Sequence, residues 1–256
     1  MGNTKRGSVK EYKKLFNYAR NCDHSKFLNK IKNDFEFLND KKEIDNFALH
    51  LQICIKESKP LYLHGYVISS ALNKYINDNK EINNFIILET GTARGFSALV
   101  MANILKKNNV NGKVYTIDRL SHKDKVYWNC IDDHDNDAPK SRHQLLDRWA
   151  DLRDNYCDFL TGDSNSIISN LNLDRIHFAF LDGAHFYKDL INELNFVEKK
   201  QIKGDIIVCD DYTINQFPEI CKAIDEFLKR GLYNHTIYFG EDGVKKRGYV
   251  YMKRII

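Results

Sequence analysis

The sequence predicts an α/β fold built on a doubly wound, mostly parallel sheet, and three observations carry that prediction. From residue 85 onward, short apolar runs alternate with segments of helical period. The runs are apolar almost without interruption, as parallel strands covered by helices on both faces must be. Each run ends in a glycine or acidic turn, on the edge where an open parallel sheet binds its ligands.

The elements follow in order. Up to about Lys59 the pattern is helical: "FLNKIKNDFEFL" and "IDNFALHLQICI" place apolar residues three and four apart. Residues 1–60 therefore read as an N-terminal helical cap or extension. Pro60 breaks the chain, and "LHGYVISSALNKYI" opens the next helix. "NFIILETG" is the first strand, followed by the helical "FSALVMANILKKN"; "GKVYTID" is the second strand, "YCDFLTGD" the third, "IHFAFLDG" the fourth and "DIIVCDD" the fifth. The helical segments "SNSIISNL", "YKDLINELNFVEKK" and "FPEICKAIDEFLKRG" follow the third, fourth and fifth. "HTIYFG" and "RGYVYMKRI" close the chain as an antiparallel pair at the sheet edge. The expectation is thus a Rossmann-like doubly wound sheet over 61–256, mostly parallel, with an antiparallel C-terminal edge strand. The segment at about 119–156, containing "WNCIDDHDNDAPKSRHQ", is long and charged, and reads as a lid-like insertion of helix plus excursion.

Composition narrows the class. With 256 residues, 43% hydrophobic and 29% charged, the chain can bury a sizeable core. A net charge of +4 is too small to suggest a nucleic-acid binder. Residues 1–60 carry 13 Lys/Arg against 8 Asp/Glu, which reads as a solvated helical surface, with an anionic substrate as the alternative. The six cysteines, Cys22, Cys54, Cys130, Cys157, Cys209 and Cys221, show neither C-x-x-C pairs nor finger spacing, which suits a reducing compartment. No apolar run reaches signal or membrane-span length, so the expectation is a soluble, cytoplasmic protein.

The strand exits hold the candidate chemistry. The first ends Glu89-Thr90-Gly91-Thr92-Ala93-Arg94-Gly95-Phe96-Ser97, where two glycines four apart allow a tight turn. The second ends at Asp118, placed for a ribose diol. The third ends Gly162-Asp163-Ser164, the fourth Asp182-Gly183-Ala184-His185 and the fifth Asp210-Asp211. Any one of these acids is most simply an N-cap or a turn residue; five polar exits on one edge are a signal. No G-x-x-x-x-G-K-[ST] or G-x-G-x-x-G occurs, and Glu89 would repel a pyrophosphate but suit a ligand bearing an ammonium group and a nucleoside.

E-x-G-x-x-x-G after strand one, an acid after strand two and Gly-Asp after strand three together resemble the class I S-adenosylmethionine-dependent methyltransferases, over residues 60 to 256. The resemblance implies that Glu89 and the turn Gly91, Thr92, Ala93, Gly95 and Ser97 hold the methionine part. Asp118, with Arg119 beside it, would take the ribose, and Asp163 with Ser164 would frame the adenine. If strands four and five are neighbours, ~4.8 Å apart, Asp182 meets Asp210 and Asp211. Three such carboxylates raise one another's pKa, and a hard divalent cation, Mg²⁺ or Ca²⁺ with Mn²⁺ also admitted, relieves the repulsion; the alternative is structural capping. The pattern is similar to metal-dependent O-methyltransferases of the catechol type and to bacterial relatives acting on sugars and macrolide glycosides, which bind Mg²⁺ at these strand exits. His185 stands where the catechol-type enzymes carry a lysine base. It is therefore the candidate base, with a helix-start role or metal ligation as alternatives and Lys188 a weaker base.

The implied reaction is methyl transfer from the sulfonium to a hydroxyl activated beside the metal, with Asp182 in the catalytic, cofactor and metal groups. The acceptor is expected to be a small molecule. His122, Lys123, Trp128, Asp132, Asp133, His134 and Arg142 in the insertion favour a sugar or glycoside over a catechol or phenol. A nicotinamide-dependent oxidoreductase and a noncatalytic cofactor-binding protein are the rival classes. Methylation of nucleic-acid amino groups is disfavoured, because "LDGAHFY" lacks the Pro-Pro turn of those enzymes. A homo-oligomer is left open.

Overall fold

The computed structural model describes all residues except 1, 58–59, 136–137, 184 and 242–245. Helices α1 (Val9–Asn21), α2 (Ser25–Phe35), α3 (Lys41–Leu51) and α4 (His64–Asp78) precede the first strand, β1 (Phe85–Thr90). Then come α5 (Phe96–Lys107), β2 (Gly112–Asp118), the short α6 (Arg142–Leu145), α7 (Ala150–Tyr156), β3 (Cys157–Thr161), α8 (Ser164–Asn170) and β4 (Phe178–Leu181). The chain closes with α9 (Tyr187–Lys199), β5 (Ile206–Cys209), α10 (Pro218–Leu228), β6 (Tyr233–Glu241) and β7 (Lys246–Arg254).

The strands form one seven-stranded sheet in the order β3-β2-β1-β4-β5-β7-β6. The first five strands are mutually parallel, and β7 runs antiparallel between β5 and β6. The C-terminal pair therefore closes the sheet edge, with β6 outermost. Strand order reverses at β1, with β2 on one side and β4 on the other, so the β1 and β4 exits flank the crevice where such sheets bind ligands.

Strand alternation divides the core in two. Ile87, Val114, Phe178, Phe180 and Val208 face one layer, packed with α2, α3, α4 and α5. Leu88, Ile117, Ala179, Leu181 and Cys209 face the other, against α8, α9 and α10. The expected boundary at residue 60 falls between α3 and α4, yet Phe27, Ile31, Ile44 and Phe47 share one buried cluster with the sheet. The helices of the extension end earlier than their apolar period suggests. After α2 the chain turns left-handed at Glu36 (φ 55), and after α3 the Gln52 and Ile53 amides both fold back onto the Ala48 carbonyl.

The insertion is mostly internal scaffold. Trp128 is fully buried, and Asp133 accepts hydrogen bonds from the Trp128 and Cys130 amides at 2.9 and 3.2 Å. Asp132 pairs with His50 Nδ1 of α3 at 2.7 Å. Arg142 is buried and donates to the carbonyls of Ala93 (2.8 Å) and Leu120 (3.1 Å). His122 stacks on Phe159 at 4.1 Å between centroids. The polarity expected to line a substrate pocket is thus largely spent inside the protein, because a charged segment crossing a core must satisfy its own groups. Lys123 and His134 alone of those seven are left outside the buried or stacked set, and His134 bonds the Arg6 carbonyl.

Candidate active site

Beyond the β1, β2, β3 and β4 exits lies a cavity of about 340 Å³, lined by Gly91, Ile117, Asp118, Arg119, Gly162, Ser164, Gly183, His185, Phe186 and Asp189. Its size is that of a small-ligand site. The β1 turn is set by its glycines: Gly91 holds φ +91, and its amide donates to the Ile117 carbonyl at 2.9 Å. A Cβ on Gly91 would lie 2.6 Å from the Asp182 carbonyl carbon, so the β1 and β4 exits touch here. Gly95 (φ +94) is the N-cap of α5.

Asp118 lines the cavity with each oxygen already tethered. Oδ2 accepts from the Ala93 amide at 2.6 Å and Oδ1 from the Leu120 amide at 2.7 Å, while Arg142 stands 3.4 Å away. Carboxylate oxygens accept more than one bond, so Asp118 can still face a diol. Arg119 lines the same cavity and forms an ion pair with Asp163. Asp163 serves as N-cap of α8, accepting from Ser166, and the Arg119 bond first, then that amide, hold its carboxyl below the usual range. Ser164 lines the cavity, and Asp163 is not among its lining residues.

Glu89, Thr92, Ala93, Gly95 and Ser97 do not line this cavity. Glu89 pairs in register with Thr116, so both side chains point to the α5 side of the sheet. There its oxygens accept bonds from Ser97 and Thr116 hydroxyls, in full burial. Burial pushes its carboxyl up to about 7 against the pull of those two bonds. Glu89 therefore lies beneath the turn, where it links Ser97 of α5 to Thr116 of β2.

At the β4–β5 exits the expected neighbours do pair: Leu181 lies opposite Cys209, which brings the next residues, Asp182 and Asp210–Asp211, together. One ligand atom each from Asp182, His185 and Asp211 lies within 4.8 Å of the other two. His185 Nε2 is 2.9 Å from Asp211 Oδ2, and its ring leans on Phe217 at 4.7 Å. Asp211 takes a left-handed backbone (φ 61), which turns its side chain back toward β4, and its amide donates to Asp210 Oδ1 at 2.6 Å. Asp210 is buried, with His64 Nδ1 3.9 Å from Oδ2.

Burial, then the charges of Asp210 and Asp211, drives the Asp182 carboxyl well above its usual range. Burial, then Asp211, does the same to Asp210. The Asp211 hydrogen bond raises His185. Acids crowded this closely, with Asp210 buried, Asp182 and Asp211 half-buried and the imidazole of His185 within reach, fit a divalent cation of the Mg²⁺ or Mn²⁺ type. The cavity and the acid cluster share His185. Sequence reasoning did not find His64, Lys56 or Arg247 beside the acids, nor Phe186 and Asp189 on the cavity wall. The last two follow the β4 exit closely enough for helix spacing to have suggested them. The first three come from remote segments.

Residues 88–212 match a family described as a methyltransferase domain. No curated protein matches the chain by sequence. Among solved structures, the O-methyltransferase NovP aligns with 98% of this chain and 100% of its own at 16% identity and TM-score 0.58. The O-methyltransferase TomG from Streptomyces achromogenes, involved in tomaymycin synthesis and solved with S-adenosylmethionine, covers 92% of this chain and 100% of its own at 13% identity and TM-score 0.58. An O-methyltransferase from Bacillus cereus, in complex with S-adenosylhomocysteine, covers 96% and 100% at 15% identity and TM-score 0.52. These likenesses establish the fold. The sheet order and the cavity at its switch point agree with the match of residues 88–212 to a methyltransferase domain.

Proposed function

We propose that the chain is an O-methyltransferase acting on a small molecule with two adjacent oxygens, assisted by a divalent cation at Asp182, Asp210 and Asp211. The observation that carries this reading is His185, which lines the cavity and also stands 2.9 Å from Asp211 in the acid cluster. Donor and acceptor sites therefore meet at one side chain.

In this reading the Gly91 turn holds the methionine part of S-adenosylmethionine, Asp118 takes the ribose diol with Arg119 alongside, and Ser164 borders the adenine. Asp182, Asp210 and Asp211 would hold the cation, whose positive charge would lower the pKa of the acceptor hydroxyl. His185 Nε2 carries the hydrogen donated to Asp211, which leaves Nδ1 to take the hydroxyl proton. The acceptor oxygen bonds the methyl carbon as the carbon–sulfur bond of the sulfonium breaks, and S-adenosylhomocysteine departs. The contribution of the chain is alignment of the two reactants and a proton acceptor beside them.

A sugar or glycoside is our first choice of acceptor, because the acid cluster is flanked by the polar side chains of Lys56 and Arg247. A phenolic diol is the second reading, favoured by Phe186, which is 64% exposed on the cavity wall, and by Phe217 against His185. Titration calorimetry with S-adenosylmethionine and with NAD tests the class, and methyl transfer to sugar and phenol panels with Mg²⁺ or excess EDTA tests the rest. We expect the sulfonium donor alone to bind and EDTA to abolish transfer. Binding of NAD in its place would remove the class; undiminished transfer in EDTA would remove the cation.

A further inference from the structure

A buried carboxyl flanks the exit of β1 on each face of the sheet. Glu89 points to the α5 side, and the next side chain, Thr90, points to the α9 side, as strand alternation requires. There the Thr90 hydroxyl donates to Glu193 Oε2 at 2.8 Å, both residues being fully buried. Glu193 lies in the middle of α9 with Leu190, Leu194 and Val197, on the buried stripe of an amphipathic helix. An apolar side chain would occupy that position at a lower desolvation cost.

The carboxyl meets the cavity wall from behind. A Cβ on Gly183 would lie 3.3 Å from Glu193 Oε1 and 3.1 Å from Thr90 Oγ1, so this wall residue packs directly on the Thr90–Glu193 bond. Gly91, also in the wall, follows Thr90 in sequence, and the Thr90 carbonyl accepts from the Asp182 amide at 3.0 Å. Ser164, a wall residue at the start of α8, stands on the third side. Burial pushes the Glu193 carboxyl up to about 7, against the pull of the Ser164 and Thr90 hydroxyls. Oε1 is buried without a partner in hydrogen-bond geometry among the described residues, so the fold alone does not saturate this acid. One turn earlier on the same helix, Asp189 lines the cavity and accepts from Asn165 Nδ2 of α8 at 3.0 Å. Helix α9 thus grips the β1, β3 and β4 exits, and they meet at Glu193.

We propose that Glu193 is a positioning residue for the methyl donor: from behind the wall its carboxyl sets the spacing of the β1, β3 and β4 exits, without touching the ligand. This rests on the reading of the cavity as the donor site. A side chain of equal length without polar atoms would fill the space but leave the exits to settle at their own spacing. A shift of ~0.5 Å, half the misplacement that costs ~100-fold, corresponds to about tenfold in binding.

Titration calorimetry with S-adenosylhomocysteine and thermal unfolding test this on wild type, on Glu193→Gln and on the double variant Thr90→Val, Glu193→Met. The glutamine keeps an acceptor for Thr90, so its affinity should stay within about twofold of wild type. The double variant replaces both partners by apolar groups of like shape, so Tm should stay within about 3 °C of wild type while Kd rises about tenfold. Amide exchange at Gly91 and Gly183 should quicken in the double variant, while Ile87 and Val208 in the sheet core keep the wild-type rate. Wild-type affinity in the double variant overturns the proposal, and so does weak binding in Glu193→Gln. A loss of affinity accompanied by a matching fall in Tm, by unfolding or by faster exchange throughout the sheet also overturns it, because the carboxyl then supports the fold as a whole. Failure of S-adenosylhomocysteine to bind wild type would instead sink the reading of the cavity as the donor site.

Discussion

Gly91→Ala isolates the contact on which the cavity depends. Gly91 and Gly204 have similar left-handed backbones, φ +91 and φ +99, but differ in their surroundings. A Cβ at Gly204 would meet nothing within 4 Å, whereas at Gly91 it would lie 2.6 Å from the Asp182 carbonyl carbon and 3.0 Å from the Gly183 amide nitrogen. Gly204→Ala should therefore cost only the left-handed backbone penalty, ~1 kcal/mol, or about 3 °C in Tm for a domain of this size. Gly91→Ala adds an overpacking penalty of ~1–3 kcal/mol, so its Tm should fall by roughly 5–12 °C. Relief of the clash requires the β4 exit to retreat by about 1 Å, a misplacement of the kind that costs ~100-fold in function. Because Gly91, Gly183 and His185 share the cavity wall, affinity for S-adenosylhomocysteine should drop by a similar factor in Gly91→Ala and stay unchanged in Gly204→Ala. Scanning and titration calorimetry on the two variants measure both effects. If Gly91→Ala unfolds and binds as Gly204→Ala does, the β1–β4 contact does not shape the donor site.

Further outcomes follow from the same geometry. Glu89, raised to about 7 from 4.5, stabilises the folded chain fully below pH about 4.5 and loses that contribution as pH rises through about 7. Glu89→Gln should therefore flatten a fall of roughly 3 kcal/mol in unfolding free energy between those limits, and denaturant curves at about pH 5 and pH 8 that shift in parallel with wild type would contradict it. Arg142→Met leaves Asp118 with its two amide bonds but without its cation and strands the Ala93 and Leu120 carbonyls; a loss of ~3 kcal/mol and of S-adenosylhomocysteine binding is expected by calorimetry. Mg²⁺ at about 100 times its Kd should stabilise the wild type by ~2.7 kcal/mol in thermal unfolding, and Asp182→Asn or Asp211→Asn should abolish the gain. Arg119→Ala breaks an ion pair whose arginine is 75% exposed, so Tm should move by no more than about 3 °C.

The readable parts of this protein are those encoded over short distances. Strand runs such as "FAFL" and "IIVC" alternate between two buried faces, and the acids that follow them cannot continue into a core, so both strand and exit are visible locally. Pairing of β4 with β5 then brings Asp182 to Asp211, as neighbouring strand exits in a parallel sheet must be. Glu89 was legible as an acid at the first strand but not in its orientation. Which face it takes depends on register with Thr116 across β2, and a partner 27 residues away leaves no local trace. The insertion misled in the opposite sense. Asp132, Asp133 and Arg142 look solvent-seeking in sequence, but their partners are His50 of α3, the Trp128 amide inside the insertion itself, and Asp118 at the end of β2.

Lys56, His64 and Arg247 belong with this last group. None stands at a strand exit or in a motif, and their meeting at Asp210 requires α4, the chain after α3 and the closing hairpin to be packed on the sheet first. The division has a physical basis. In the proposed reading, donor binding and the cation cluster are built from neighbouring strand exits, so the sheet alone assembles them. In the same reading, recognition of the acceptor falls to what the flanking layers bring over that edge, so it changes with substitutions in those layers. Exchange of the α3–α4 connection and the β6–β7 hairpin should accordingly alter which acceptor binds while S-adenosylhomocysteine affinity stays constant. A joint loss of both in such exchanges would mean that the two halves of the site are not separable in this fold.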